Sequence, residues 1–153
     1  DAIKLMSKEL IKLMQFNYLY YFFSPIFMLI LIMMMWLIYP FYLNMMSMSM
    51  GLMYLIFCLS LSAYGLLMSG WSSNSTYSML GSIRSLSQSI SYEVILSLMF
   101  MILIIMIESF KFKNFYIMQK NMWFMITLMP LMIMMLFSFM AEMNRTPFDF
   151  SEG

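Results

Sequence analysis

Four long, predominantly apolar stretches constrain this chain more than any other feature. They cover residues 19–39, 50–68, 79–107 and 122–141. A helix of about 20 apolar residues spans the hydrocarbon core of a bilayer, which is roughly 30 Å thick. Only 10% of the 153 residues are charged, whereas soluble domains carry about a quarter. The sequence therefore predicts an all-α fold, a multi-pass transmembrane helix bundle with about four spans.

The segments outside these stretches are more polar. Residues 1–14 place Lys4, Lys8 and Lys12 on one helical stripe, which predicts an amphipathic helix lying in the membrane interface, with a solvated helix as the alternative. Residues 69–81 and 108–121 are expected to be loops. Pro130 stands in the middle of the fourth stretch and predicts a kink there. Residues 142–153 are expected to begin a polar loop.

Composition excludes several classes of site. The chain has no His, and its single Cys58 lies in an apolar run, so zinc sites, iron–sulfur clusters and haem ligation by His are excluded. A net charge of +1 argues against nucleic-acid binding, which needs a basic patch. Any redox cofactor must therefore belong to another chain or be a diffusible molecule.

Basic residues give a weak indication of topology. Four spans place both chain ends on one side, which then carries five basic residues against three on the other. Because basic residues are enriched in cytoplasmic or equivalent loops, we expect the chain ends to face that compartment.

Glu93 is the first candidate for chemistry. It lies within the third predicted helix, where a carboxylate facing lipid costs at least about 2.5 kcal/mol. On a helical wheel it shares one face with Ser82, Ser89 and Ser97, while Arg84 lies on the opposite face. The pattern favours a proton-relay carboxylate inside a bundle. The alternative is a side chain that extends to the headgroups from a helix end.

Glu142 is the second candidate, directly after the uncharged run of the fourth stretch. It predicts either a second relay carboxylate or a helix end at the interface. Arg145, Asp149 and Glu152 follow it closely, with Pro147 favouring an extended turn between them. By itself this segment is a polar loop with compact ion pairing. The residues alone thus predict intramembrane carboxylates leading to a charged loop.

Three motifs carry a resemblance to a known family. They are AEMNRTPFDFSEG at residues 141–153, DAIKLMSKE at residues 1–9 and GWSSNSTYSMLGSIRSLSQSISYEV at residues 70–94. In order and spacing they resemble the NADH–ubiquinone oxidoreductase chain 1 family, the quinone-site membrane subunit of respiratory complex I. The resemblance covers essentially the whole chain. The family usually has Thr where this chain has Met143, and every charged position is kept.

The resemblance implies roles for the charged residues. Arg145, Asp149 and Glu152 would belong to a loop that helps wall the ubiquinone tunnel and faces the peripheral arm. Glu93 and Glu142 would line the hydrated path from the quinone cavity toward the antiporter-like subunits, with Arg84 as a neighbouring basic residue. No residue of the chain would be catalytic, and the chain, a subunit without a redox centre, would not be catalytic alone.

The resemblance also implies a setting for the whole chain. Ubiquinone would be the substrate, and this chain would hold no metal, flavin or nucleotide. Its partners would be the quinone-site subunits of the peripheral arm, the membrane-arm subunits and the lipid bilayer, with no nucleic acid. It would lie in the mitochondrial inner membrane as an internal fragment of a longer subunit.

Three alternatives remain open at this point. A homologous subunit of a membrane-bound hydrogenase would share the carboxylates. A stand-alone cation/proton antiporter also uses intramembrane Glu and a kinked helix, but inverted repeats are not visible between the two halves. A structural scaffold with merely paired charges would need a functional measurement to distinguish it from a relay.

Overall fold

The computed structural model describes residues 2–9, 14–39, 48–120 and 122–149. Every regular element in these ranges is an α-helix, which confirms the predicted fold class. The elements are α1 (Ala2–Met6), α2 (Tyr18–Trp36), α3 (Gly51–Ser72), α4 (Thr76–Ile107), α5 (Phe112–Gln119), α6 (Phe124–Thr127) and α7 (Met129–Glu142).

Among the described residues, three helices are long and apolar enough to cross a membrane. They are α2, α3 and α4, and α7 is a shorter apolar helix of 14 residues. The fourth predicted span is thus divided into α6 and α7. Leu128 leaves the helical conformation with ψ 45°, so Pro130 falls in the first turn of α7 rather than kinking a continuous helix. A proline is tolerated there because the first helical N–H groups need no partner within the helix.

The helices pack in chain order, and α4 lies between α3 and α7 in this order of contacts. Helix α2 packs on α3, α3 on α4, and α4 on α7. Helix α4 has 32 residues, so it is about 48 Å long and exceeds the roughly 30 Å hydrocarbon core. Its surplus length leaves room for a polar end.

The connection between α3 and α4 is much shorter than the loop predicted at residues 69–81. Helix α3 continues to Ser72 and α4 begins at Thr76, after Ser75 accepts a hydrogen bond from the Ser78 N–H (3.4 Å). Asn74 adopts a left-handed conformation with φ 50°, which asparagine tolerates better than most residues. Serine and asparagine here terminate and start helices instead of forming a long loop.

Two other segments differ from expectation. The loop predicted at residues 108–121 contains α5, whose Phe112 and Phe115 rings pack against the core. Helix α1 ends at Met6 rather than at residue 14, and the Ser7 hydroxyl binds the Lys4 carbonyl (2.8 Å). A helix of five residues is marginal by itself. Lys12 lies outside the described residues.

The apolar core lies between α3, α4 and α7. Leu52, Leu96, Phe100 and Ile104 form its buried cluster, and Phe139 of α7 packs against it with its ring centroid 6.4 Å from that of Phe100. Helix α2, in contrast, buries only 11% of its most apolar 18-residue window. An apolar surface of that size needs lipid or other helices around it.

Candidate functional site

The N-terminal half of α4 buries polar side chains. The buried ones are Ser82, Ser85, Gln88 and Ser89. Each serine hydroxyl donates to a carbonyl of the preceding turn, at 2.9 to 3.0 Å. Serine in a helix can satisfy its hydrogen bond in this way, so these hydroxyls are buried without needing a partner on another helix. The glutamine amide cannot do this and bonds outside α4.

Helix α3 approaches this polar half of α4 closely at Gly70. A Cβ atom at Gly70 would overlap the Ser82 side chain and lie 3.0 Å from the Ser78 carbonyl oxygen. The Ser73 and Ser78 hydroxyls hydrogen-bond each other beside this contact. A cavity of about 380 Å³, lined largely by serine, opens at the same place. Glycine is required here because the two helix backbones nearly touch.

Glu93 lies on α4 and Glu142 ends α7, and these two helices pack on each other. Both side chains are half-buried, and their carboxyl groups are close enough to interact electrostatically. They are 49 residues apart in the chain (142 − 93). Interacting carboxyl groups take up and release protons as a set.

Ser62 of α3 completes this cluster. Its Oγ lies 3.1 Å from Oε1 of Glu142 and 2.7 Å from the Leu59 carbonyl oxygen. A hydroxyl has one hydrogen to donate and can also accept. When Glu142 is ionised, Ser62 donates to the carboxylate. When Glu142 is protonated, it can donate to Ser62 Oγ while Ser62 donates to Leu59. The hydrogen bond is therefore kept in both protonation states.

The end of α7 directs the following polar segment back along α4. Asn144 is left-handed with φ 48°. The Arg145 N–H donates to the Met140 carbonyl (3.1 Å) and the Asn144 N–H to Ala141 (3.2 Å), which is the Schellman pattern. A further hydrogen bond from the Phe148 N–H to the Arg145 carbonyl (2.7 Å) closes a turn. We call residues 144–149 the polar loop.

The polar loop is held against α4 by two side chains. Nε2 of Gln88 donates to the Ala141 carbonyl (3.0 Å) and to the Phe148 carbonyl (3.1 Å). The Tyr92 ring packs against the Phe148 ring with a centroid distance of 5.3 Å. The site thus combines two interacting carboxyl groups, from α4 and α7, and a hydroxyl from α3 with a loop that bonds to α4.

The structure does not bring the other predicted site residues that it describes into contact with this cluster. Arg84 is exposed and lines a shallow cavity of about 440 Å³ on the side of α4 that carries Gln88 and Tyr92. Arg145 is exposed and Asp149 is half-buried. Glu152 lies outside the described residues. The compact ion pairing predicted for this segment is not seen among the residues that the structure describes.

A comparison with protein families decides what kind of chain this is. The sequence model described as NADH dehydrogenase matches residues 1–153. The chain belongs to the NADH dehydrogenase family.

Individual members of the family are similar along the whole chain. NADH-ubiquinone oxidoreductase chain 1 of Locusta migratoria is 47% identical over 153 residues, and that of Aedes aegypti is 42% identical. The Trichosurus vulpecula protein of the same name is 37% identical. Each match covers 100% of this chain and 48–49% of the relative. The chain spans about half the length of these relatives.

Two residues of this site, Ser62 and Gln88, were not predicted from the sequence. Ser62 stands in an apolar helix without any charged neighbour, and Gln88 stands among serines in the N-terminal half of α4. Their significance depends on partners 80 residues away for Ser62 and 53 and 60 residues away for Gln88. An uncharged polar side chain within an apolar helix is the only signal that marks either position.

Proposed function

We propose that this chain is part of the membrane subunit of the proton-pumping NADH:ubiquinone oxidoreductase, respiratory complex I, in the mitochondrial inner membrane. Glu93 and Glu142 carry protons along the path that couples quinone reduction to proton translocation, with Arg84 beside it. Arg145, Asp149 and Glu152 form the loop that walls the ubiquinone tunnel and faces the peripheral arm. The chain contributes to the enzyme and is not catalytic alone.

One observation carries this proposal. Two carboxyl groups from different helices of an NADH dehydrogenase family member interact electrostatically, and one of them, Glu142, bonds to a hydroxyl that can serve both of its protonation states. Ionisable residues within membrane helices are rare, and they commonly form proton relays. The polar loop, bonded through Gln88 to the helix that carries Glu93, supports a coupling between this relay and a charge that appears at the loop.

The proposed coupling is electrostatic. Reduction of a quinone beside the polar loop leaves negative charge that proton uptake must neutralise. The changed field shifts the proton occupancy of Glu142 and then of Glu93, because interacting carboxyl groups respond together. Ser62 keeps a hydrogen bond to Glu142 during this change, so the exchange of a proton needs no side-chain rearrangement there.

Membership of the complex can be tested by native gel electrophoresis of gently solubilised source membranes. NADH dehydrogenase activity is stained in the gel, and peptides from each band are sequenced. We expect peptides of this chain in the large NADH-oxidising band. Peptides found only in a small inactive band would overturn the complex I assignment and favour the stand-alone antiporter.

The relay role is tested by Glu142→Gln in a genetically tractable relative, made in the full-length subunit within its complex. Glutamine keeps the size and the hydrogen bond from Ser62 but cannot take up a proton. We expect quinone reduction and NADH-driven proton translocation to fall by about a hundredfold, the lower end of what a proton-transferring group contributes.

Glu108→Gln is the matched control, because Glu108 is exposed at the C-terminal end of α4, far along the helix from Glu93. It should leave both rates unchanged. Native gels check that each variant assembles. If Glu142→Gln left both quinone reduction and proton translocation at the level of the control, the relay role would be refuted.

A further inference from the structure

Gln88 is buried in the bundle, and its side-chain amide bonds outside its own helix. Its side chain is 6% exposed, although it lies on the helix that carries Glu93. The two hydrogens of its Nε2 go to different elements, one to the Ala141 carbonyl at the end of α7 and one to the Phe148 carbonyl in the polar loop. Both donor positions of the amide are therefore used.

The two acceptors connect the two parts of the site. Ala141 directly precedes Glu142, and Phe148 directly precedes Asp149. The two hydrogens of an amide lie in one plane at a fixed angle. A single rigid group therefore sets the distance between the Ala141 and Phe148 carbonyls. Each of these residues directly precedes a residue with a carboxyl group.

Only one orientation of this amide fits the site. With Oε1 and Nε2 exchanged, an acceptor would face two carbonyl oxygens, and both hydrogen bonds would be lost. In the observed orientation Oε1 is buried and has no hydrogen-bond partner among the described residues. An unpaired buried acceptor destabilises a fold, so stability alone does not explain a glutamine at residue 88. Its value lies in what the two donated hydrogen bonds hold.

Tyr92, one turn further along α4, reinforces the link to the loop only. Its ring packs on the Phe148 ring, and within the described part of the chain it makes no hydrogen bond to the end of α7 like those of Gln88. The two residues therefore separate the two functions of this face: Tyr92 contacts the loop, while Gln88 contacts both the loop and the backbone that carries Glu142.

We propose that Gln88 is a positioning residue that couples the polar loop to the Glu93–Glu142 pair through its two amide hydrogen bonds. A displacement of the loop is transmitted through Gln88 to the Ala141 carbonyl and changes the spacing of the two carboxyl groups. This role rests on the proposed function of the polar loop and the Glu93–Glu142 pair. It identifies Gln88 as the residue through which the loop acts on the pair.

The test uses Gln88→Met in the full-length subunit within the complex of a tractable relative. Methionine keeps the length and the apolar volume and removes both hydrogen bonds. Three quantities are measured: the KM for ubiquinone against kcat, the number of protons translocated per NADH oxidised, and hydrogen exchange of the peptide containing residues 144–149. Exchange is followed in the resting complex, so it is independent of turnover.

We expect Gln88→Met to accelerate exchange of that peptide by about fivefold, the effect of losing one ordinary hydrogen bond. The KM for ubiquinone should rise, and fewer protons should be translocated per NADH. Tyr92→Leu should accelerate exchange and raise the KM while leaving the proton ratio at the wild-type value. Ser87→Ala, at an exposed position next to Gln88 whose hydroxyl bonds only within α4, should change none of the three.

Two results would overturn the proposal. Unchanged exchange in Gln88→Met would mean that the amide does not hold the loop. Faster exchange with a wild-type proton ratio would mean that the loop is held but not coupled to the carboxyl pair. Neither result depends on Glu142→Gln, whose outcome decides the relay role separately.

Discussion

The two halves of α4 bury their side chains by different means. Residues 76–93 bury serines and one glutamine, and residues 94–107 bury Leu96, Met99, Phe100, Ile104 and Ile107. The polar half approaches α3 at a glycine and binds α7 and the polar loop through an amide. The apolar half packs against Leu52 and Phe139.

The two halves of α4 therefore have different roles. The polar half positions the residues of the site, and the apolar half holds the helix in the bundle. Hydrogen bonds weaken steeply as their distance or angle departs from the ideal. Small displacements of α7 or the polar loop therefore weaken the bonds made by the polar half. Apolar packing has little directional preference and holds the helix in place over a range of small shifts. We therefore expect substitutions in the apolar half to change stability and those around the polar half to change chemistry.

The largest effect on stability is expected from Phe100→Ala in the apolar half. Removing a buried aromatic side chain costs about 3–5 kcal/mol in soluble cores. We expect about 3 kcal/mol here, because lipid tails are as apolar as the core and the transfer contribution is smaller. The temperature at which half the complex dissociates on native gels should fall, while the KM for ubiquinone stays at the wild-type value.

Leu98→Ala is the control for this substitution, since Leu98 is 60% exposed on the same helix. It should lower the dissociation temperature much less. A change in the KM or in protons per NADH for Phe100→Ala would mean that the apolar half also positions the site.

A smaller loss of stability is expected from Gly70→Ala beside the polar half. The added Cβ meets the Cβ of Ser82 and the backbone oxygen of Ser78, and neither can move away without shifting a helix. Overpacking of this kind costs about 1–3 kcal/mol. The dissociation temperature should fall, and the proton ratio should fall with it because α3 carries Ser62.

Gly65→Ala provides the comparison on the same helix. The Cβ there meets the sulfur and Cγ of Met28, a flexible side chain that can rotate aside, and alanine favours the helix by about 1 kcal/mol. This variant should be as stable as the wild type or slightly more stable. Equal destabilisation by both substitutions would argue against a special close approach at Gly70.

The smallest effect on stability is expected from Ser62→Ala. It removes one hydrogen bond to Glu142, worth about 1 kcal/mol, and should leave the dissociation temperature nearly unchanged. Proton translocation should nevertheless slow by about fivefold, the same free energy expressed as a rate. Ser60→Ala is matched to it, since that exposed hydroxyl binds only the Phe57 carbonyl (2.8 Å). If the two variants translocated protons equally fast, Ser62 would have no part in the relay.

Much of the fold could be read from the residues in order. The number of apolar residues in succession defines helices long enough for a bilayer, because every backbone polar group in lipid must be satisfied within the helix. Local polar residues were harder to interpret. Serine and asparagine at residues 73–75 terminate one helix and begin the next, so a segment predicted as a loop of 13 residues (69–81) is a short turn. Pro130 ended up at a helix start because the chain leaves the helix at Leu128.

The sequence by itself determined that Glu93 and Glu142 stand in or at the end of apolar helices, where a carboxyl group is costly. Only the tertiary structure decided that their charges interact, that Ser62 bonds to Glu142, and that Gln88 binds the loop. These contacts depend on how far each helix is rotated and how closely α3 and α7 approach α4. Spacing along one helix cannot specify the rotation of another, because that rotation is set by packing over the whole contact surface.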